Sequence, residues 1–287
     1  MIFSLKKILK KLFRREPEEA IAFDLCSSEY HPLDIVYDGF SGEVINIPLS
    51  RCRSYILGYL PEEHPFCVTL KQYNQKKHAF THSKLNRYYA EFQPKTMADV
   101  LKLESPILKN YPAMATVMPW SYATPEQRMK RFCIEGSQSR LLAKEAVQHG
   151  LNSAENYGCQ FFGPISADHG ELEFKRLTSV NNNIVNDGYA PSKHGHLHGE
   201  FLIDGDNWVW VAIGGKHRFS VLSALEFEKI LVARLSRWAA LFIRRNEVAY
   251  WPNVRNGLFT EEEALSVFDR IMKGTKVSDY LSKDLEV

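Results

Sequence analysis

Asn207-Trp208-Val209-Trp210-Val211-Ala212-Ile213-Gly214-Gly215-Lys216-His217-Arg218-Phe219-Ser220-Val221-Leu222-Ser223-Ala224-Leu225 decides how this chain is read. The residues up to Ile213 are dense in β-branched and aromatic side chains, which predicts a buried strand. From Phe219 onward the apolar residues fall at helical spacing. A Gly-Gly turn from a strand into a helix exposes backbone N–H groups at the positive end of the helix dipole. Lys216, His217 and Arg218 add side-chain donors at the same mouth. On these residues alone the turn reads equally as a phosphate cradle or as a structural turn carrying surface charge.

The surroundings add to this reading. Residues 171–235 resemble the ParB/sulfiredoxin superfamily, whose sulfiredoxin members carry Gly-Gly-Cys-His-Arg at this turn. Upstream, Arg176-Leu177-Thr178-Ser179-Val180-Asn181-Asn182-Asn183-Ile184 is similar to the first helix of that family. Downstream, the stretch through Leu225 to Lys229-Ile230-Leu231-Val232-Ala233-Arg234 resembles its following helix and closing strand. The resemblance implies that Gly214, Gly215, His217 and Arg218 hold phosphate, with Lys216 beside them and Arg176 and Ser179 approaching from the first helix. It also implies ATP or another nucleoside triphosphate, with Mg²⁺. Lys216 occupies the position of the sulfiredoxin cysteine, so that thiol chemistry is excluded. The Gly-Glu-Arg-Arg form of the chromosome-partition proteins is missing, and no helix-turn-helix follows. Superfamily kinases that act on free serine need no cysteine, which leaves a phosphotransferase as the expected activity. A nucleotide-gated switch protein is the alternative, and a DNA-binding ParB-like protein a weaker one.

Phosphoryl transfer needs a carboxylate to orient or deprotonate the attacking hydroxyl. Glu200 and Glu173 are the candidates; Glu173 equally stands one helical turn from Arg176, where an ion pair is the ordinary outcome. Asp204-Gly205 reads as hairpin-turn chemistry. His194, His196 and His198 alternate, but a strand spaces such side chains too widely for one ion. No metal site is therefore expected, and His196 and His198 are read as a polar rim of the nucleotide pocket. The resemblance implies a loop there, leading into a hairpin.

The whole chain has 287 residues, 45% of them hydrophobic, and a formal net charge of +2. That balance lacks the global basic field of a nucleic-acid binder. Cys26, Cys52, Cys67, Cys133 and Cys159 are scattered without paired spacing, which fits reduced thiols better than a disulfide framework. In Met1–Arg15, Leu5, Ile8, Leu9, Leu12 and Phe13 take one side at helical spacing and lysines and arginines take the other. A helix of that kind suits an anionic membrane surface, or alternatively docks on the protein's own core. Glu16-Pro17-Glu18-Glu19 then breaks it as a hinge. The expected location is cytoplasmic, peripheral on the inner face of the cytoplasmic membrane.

The fold class expected is α/β (α+β), in four parts. Residues 1–19 form the basic helix and hinge, and 20–156 a mixed region with a helical part. Residues 157–238 form the nucleotide-binding module, and 239–287 a helical extension packed on the core. Asp34–Tyr37 and Val44–Ile47 read as short extended stretches. Thr124-Pro125-Glu126-Gln127 and Thr260-Glu261-Glu262-Glu263 read as capped helix starts. Helical pieces are expected through Phe132 and over Ser139–His149, and another over Ala264–Met272. His64-Pro65-Phe66, Ser83-Lys84-Leu85 with Tyr88-Tyr89, Phe92 and Pro94, Pro119-Trp120 and Phe162-Gly163-Pro164-Ile165-Ser166 resemble uncharacterised bacterial proteins associated with cell-surface polysaccharide gene clusters. That likeness implies a glycan or lipid-linked hydroxyl as the acceptor. The aromatic residues read as core, or alternatively as sugar-stacking surface, and Arg234, Arg237, Arg244, Arg245 and Arg255 as solvated or ion-paired charges.

Overall fold

The computed structural model describes residues 21–37, 44–130, 161–233 and 242–281. The amphipathic stretch at 1–15 and its hinge, the helix expected over Ser139–His149, Cys133, Cys159, Arg234, Arg237 and Trp238 lie outside the described residues.

Among the described residues the strands are β1 (Ile21–Asp24), β2 (Val44–Pro48), β3 (Cys52–Ser54), β4 (His198–Asp204), β5 (Asn207–Gly214), β6 (Lys229–Ala233) and β7 (Phe242–Arg244). The main helices are α1 (Pro65–Gln75), α2 (Lys84–Glu91), α3 (Met97–Leu101), α4 (Pro125–Met129), α5 (Ala167–Asp187), α6 (Lys216–Ala224) and α7 (Glu261–Lys273). Helices and mixed sheets make this an α/β protein of the α+β kind.

Two sheets organise the chain, ordered β1-β2-β6 and β3-β5-β4-β7. β4 and β5 form the antiparallel hairpin, with Glu200 opposite Val211 and Phe201 opposite Trp210. Gly205 at its tip takes φ +58°, a left-handed value that glycine adopts without strain. β3 joins β5 in parallel and β7 joins β4 in parallel. In the other sheet β2 lies parallel to β1 and antiparallel to β6. A bridge between Leu197 and Val232 ties the two together. The sheets therefore draw strands from both sides of residue 157.

Alternation along β5 sends its side chains into two cores. Trp208, Trp210 and Ala212 join Ile45, Ile47, Ile230, Phe219 and Leu222. Val209 and Val211 join Leu202, Val221 and the side chains of α1, α2 and α7. Burying a residue such as Leu202 stabilises by roughly 1.5–3 kcal/mol relative to its exposure. Trp120, Trp251 and Phe268 pack ring against ring in the larger core, and Tyr88 and Tyr89 are buried there too. These aromatics are structural.

The expected caps form. Thr124 and Gln127 make a reciprocal capping box at α4, as do Thr260 and Glu263 at α7. Asp34–Tyr37 is a correction: it is a single helical turn, not extended chain. The Asp34 carboxylate accepts from the His31 backbone N–H at 2.7 Å, and this local turn chemistry outweighs the β preference of Ile35 and Val36. Arg244 pairs with Glu247, and Arg245 makes two 2.9 Å bonds to Asp269. Among the described residues, no helix is long and apolar enough to cross a membrane.

Candidate functional site

α6 begins where β5 ends, at Gly214 and Gly215. Gly215 has φ +82° and, as N-cap, offers no side chain to the first-turn N–H groups. The first intrahelical bond is Phe219 N–H to Gly215 O at 2.9 Å, so the N–H groups of Lys216, His217 and Arg218 precede the helix's own ladder. The glycines also meet a packing demand. A Cβ at Gly214 would stand 2.0 Å from the His198 ring, and one at Gly215 2.4 Å from the Leu197 side chain.

The three charged residues after the turn diverge. Arg218 donates to the Gly195 carbonyl and lies over Gly215, next to His198. Burial first, and then the Arg218 charge, lower the pKa of His198, which also bonds the His196 backbone. His196 and His198 thus border the turn on this side. Lys216 points the other way, into the interior; it is 8% exposed and its Nζ stands over the Phe161 ring, 2.8 Å from the centroid. His217 lies between, half-buried, its ring stacked on Phe66 at 5.2 Å between centroids and 18° between planes.

α5 supplies the facing wall. Ser166 caps it, and its buried side is Gly170, Glu173, Phe174, Leu177, Thr178 and Asn181, a continuous stripe at helical spacing. Glu173 is the one ionisable group in that stripe. Its Oε1 is 2.9 Å from His217 Nε2 and its Oε2 is 3.5 Å from Arg176 Nη1. The two atoms are within ion-pair distance but do not meet in hydrogen-bond geometry. Burial pushes the Glu173 carboxyl up, but His217, Arg176 and Lys216 together hold it below the usual carboxylate range. Ser179, in contrast, is exposed and donates to the Lys175 carbonyl of its own helix at 2.7 Å.

α1 supplies His64, whose part in the site the sequence did not disclose. Its Nδ1 accepts from Phe66 N–H at 3.1 Å, capping α1, with Ser220 Oγ 3.4 Å from the same atom. Burial, then the Lys216 and His217 charges, bring its pKa down to about 3. His64 is therefore neutral, with its proton on Nε2. A small recess beside it, a cavity of about 10 Å³ with room for roughly one water molecule, is lined by Ser54, Tyr55, Tyr59, His64, Tyr88 and Phe161 among others. It is far too small for a nucleoside.

Glu200 belongs to a different place. It sits under β4, 2% exposed, where Trp120 Nε1 donates to its Oε1 at 2.7 Å. Burial raises its pKa to about 7 against the lowering effect of that bond. The structure thus brings together Lys216, His217, Arg176 and Glu173 and adds His64, Phe66 and Phe161. Arg218, His196 and His198 stand at the outer side of the same turn. Among the described residues, no group of three or more His, Cys, Asp and Glu side chains is arranged to hold a metal ion.

Compared with protein-family models, curated proteins and solved structures, the chain matches none of them. What the site does is therefore read from its own chemistry. Removing an ion from water costs several kcal/mol even after relaxation, so folding alone does not favour a buried Glu-His-Lys-Arg group over apolar residues. Glu173 and His64, both shifted by burial and neighbouring charges, gather beside a helix start, which makes this turn the candidate site.

Proposed function

We propose that this chain is a nucleotide-dependent phosphotransferase. The observation that carries the reading is the start of α6. There the first-turn N–H groups, Lys216 and His217 are faced from α5 by Arg176 and by a single buried carboxylate, Glu173, with Arg218 at the outer side of the same turn. Cations exceed carboxylates around the turn, and they adjoin the positive end of a helix, the combination that favours phosphate. ATP or another nucleoside triphosphate is the donor, with its phosphates at Arg218 and the first-turn N–H groups, Lys216 and Arg176 on the inner side of the turn beside Glu173, and Mg²⁺ accompanying the phosphates. A nucleotide-borne Mg²⁺ takes most ligands from phosphate and water, so it does not require a protein cage.

The acceptor is a hydroxyl of a bacterial surface polysaccharide or of a lipid-linked glycan. That choice rests on the likeness of the Pro119-Trp120 and Phe162–Ser166 stretches, and of the region before them, to proteins of such gene clusters. The basic face of residues 1–15 would bring the enzyme to an anionic membrane at the cytoplasmic side.

The test is calorimetric titration of the whole protein with ATP, ADP and CTP, each with Mg²⁺, beside Arg218→Ala. Micromolar binding by the wild type and at least a tenfold loss in the folded variant are expected, in line with a charge-assisted contact of about 1.5–3 kcal/mol. Equal affinity in the two proteins removes Arg218 from the site. No binding of any nucleotide by the folded wild type removes the phosphotransferase reading.

A further inference from the structure

Among the histidines near the α6 turn, His64, His198 and His217 have their nitrogens engaged differently. His64 spends its Nδ1 on the Phe66 N–H, and His198 is engaged with the His196 backbone. In His217 the Nε2 stands 2.9 Å from the Glu173 carboxylate, which favours a proton on that nitrogen and, in the neutral ring, leaves the lone pair on Nδ1. Phe66 stacked on one face fixes the ring plane. A carboxylate behind one nitrogen and a fixed ring are the arrangement of an activated imidazole.

Such an imidazole can serve as a base or as a nucleophile, and the neighbouring charges separate the two. Lys216 and Arg176 both act on Glu173, and Lys216 acts on His64 across the same space. Glu173 offsets these cations where a proton on the imidazole is concerned, whereas a phosphoryl dianion on Nδ1 is attracted by the cations directly.

We infer that His217 is a nucleophile whose Nδ1 carries the phosphoryl group covalently between the nucleotide and the acceptor. This rests on the phosphotransferase reading above and adds the chemistry of its central step. The Nδ1 lone pair forms a P–N bond to the γ-phosphorus, while the bond from that phosphorus to the bridging oxygen breaks and its electron pair leaves on the nucleoside diphosphate. The ring becomes cationic, its proton remains on Nε2, and Glu173 balances the charge. The acceptor hydroxyl oxygen then bonds to phosphorus, the P–N pair returns to Nδ1, and the hydroxyl proton goes to water. Glu173 is a positioning residue, since it acts through His217.

The experiment uses the full chain with two phosphoryl donors. One is γ-labelled ATP with Mg²⁺; the other is phosphoramidate, which phosphorylates nucleophilic histidines without a nucleotide site. Label that is acid-labile and alkali-stable, mapped to His217 by mass spectrometry, is expected from both. His217→Gln keeps a donor toward Glu173 and removes the nucleophile, so it should abolish the label at this position. Glu173→Gln should slow labelling by at least about tenfold, within the range of oriented acid–base groups. It should also change the His217 tautomer signature in ¹⁵N NMR, which a merely structural role would not move. If ATP binds by calorimetry but labels nothing, and phosphoramidate also misses His217, the covalent step is overturned and the phosphotransferase reading stands. If ATP does not bind but phosphoramidate selects His217, the nucleophile stands and the nucleotide assignment falls. Absence of both binding and label overturns both.

Discussion

Glu173 and Glu200 are both buried carboxylates, and their surroundings drive them apart. Cations hold Glu173 ionised, whereas Glu200 has only an indole N–H for company and its pKa rises from 4.5 to about 7. Between those two values the folded chain holds a proton that the unfolded chain has released. Stability contributed by Glu200 is therefore full below about pH 4.5, falls as the pH climbs to about 7 and is flat above it. The loss is on the order of 3 kcal/mol at full ionisation. Glu200→Gln keeps an acceptor for Trp120 and should shrink the difference between urea midpoints at pH 5 and pH 8. An unchanged difference would show that another group sets the pH dependence. Glu173 was legible as a carboxylate with Arg176 one helical turn away. Its link to His217 was not, because no local period joins α5 to α6.

At the scale of elements, α5 poses a contest between propensity and packing. Gly170 lies inside the helix, where alanine would be favoured by about 1 kcal/mol. A Cβ there, however, would come within 2.2 Å of the buried Phe80 ring. Overpacking of this kind costs about 1–3 kcal/mol, so packing wins. Gly170→Ala should lower stability by up to about 2 kcal/mol in urea unfolding, despite the better helix former. A more stable variant would mean that Phe80 moves aside freely. The helix starts at Thr124 and Thr260 were readable because a cap is local chemistry completed within four residues. The single turn at Asp34–Tyr37 was misread for the same reason in reverse, since the β-branched pair was weighed and the Asp34 side-chain bond was not.

For the whole molecule, the decisive fact is that both sheets mix strands from distant parts of the chain. β5 takes β3 as its neighbour and β6 takes β2, and the larger core needs α1, α2 and α7 around the β4–β5 hairpin. A fragment of residues 157–238 would expose those faces and leave β5 with an open edge. Expressed alone, it is expected to show no cooperative thermal transition by circular dichroism and poor dispersion in an amide NMR spectrum. A sharp melt would make that module independent of the rest. The formal charge of +2 over 287 residues leaves the cationic cluster at α6 as a local feature and not part of a general basic surface.

By itself the sequence determined the strand, the glycine turn and the helix from Asn207 to Ala224, together with the α+β class, because hydrophobic period and glycine conformation act over a few residues. It also marked Glu173 and the Lys216–Arg218 run as chemistry-bearing. Only the tertiary structure decided that Lys216 turns inward over Phe161, that Glu200 pairs with Trp120 away from the turn, and that Phe66 and Glu173 meet at His217. Those contacts join segments far apart along the chain. They exist because α6 is packed between α1 and α5, an arrangement fixed by burying apolar faces from every part of the chain.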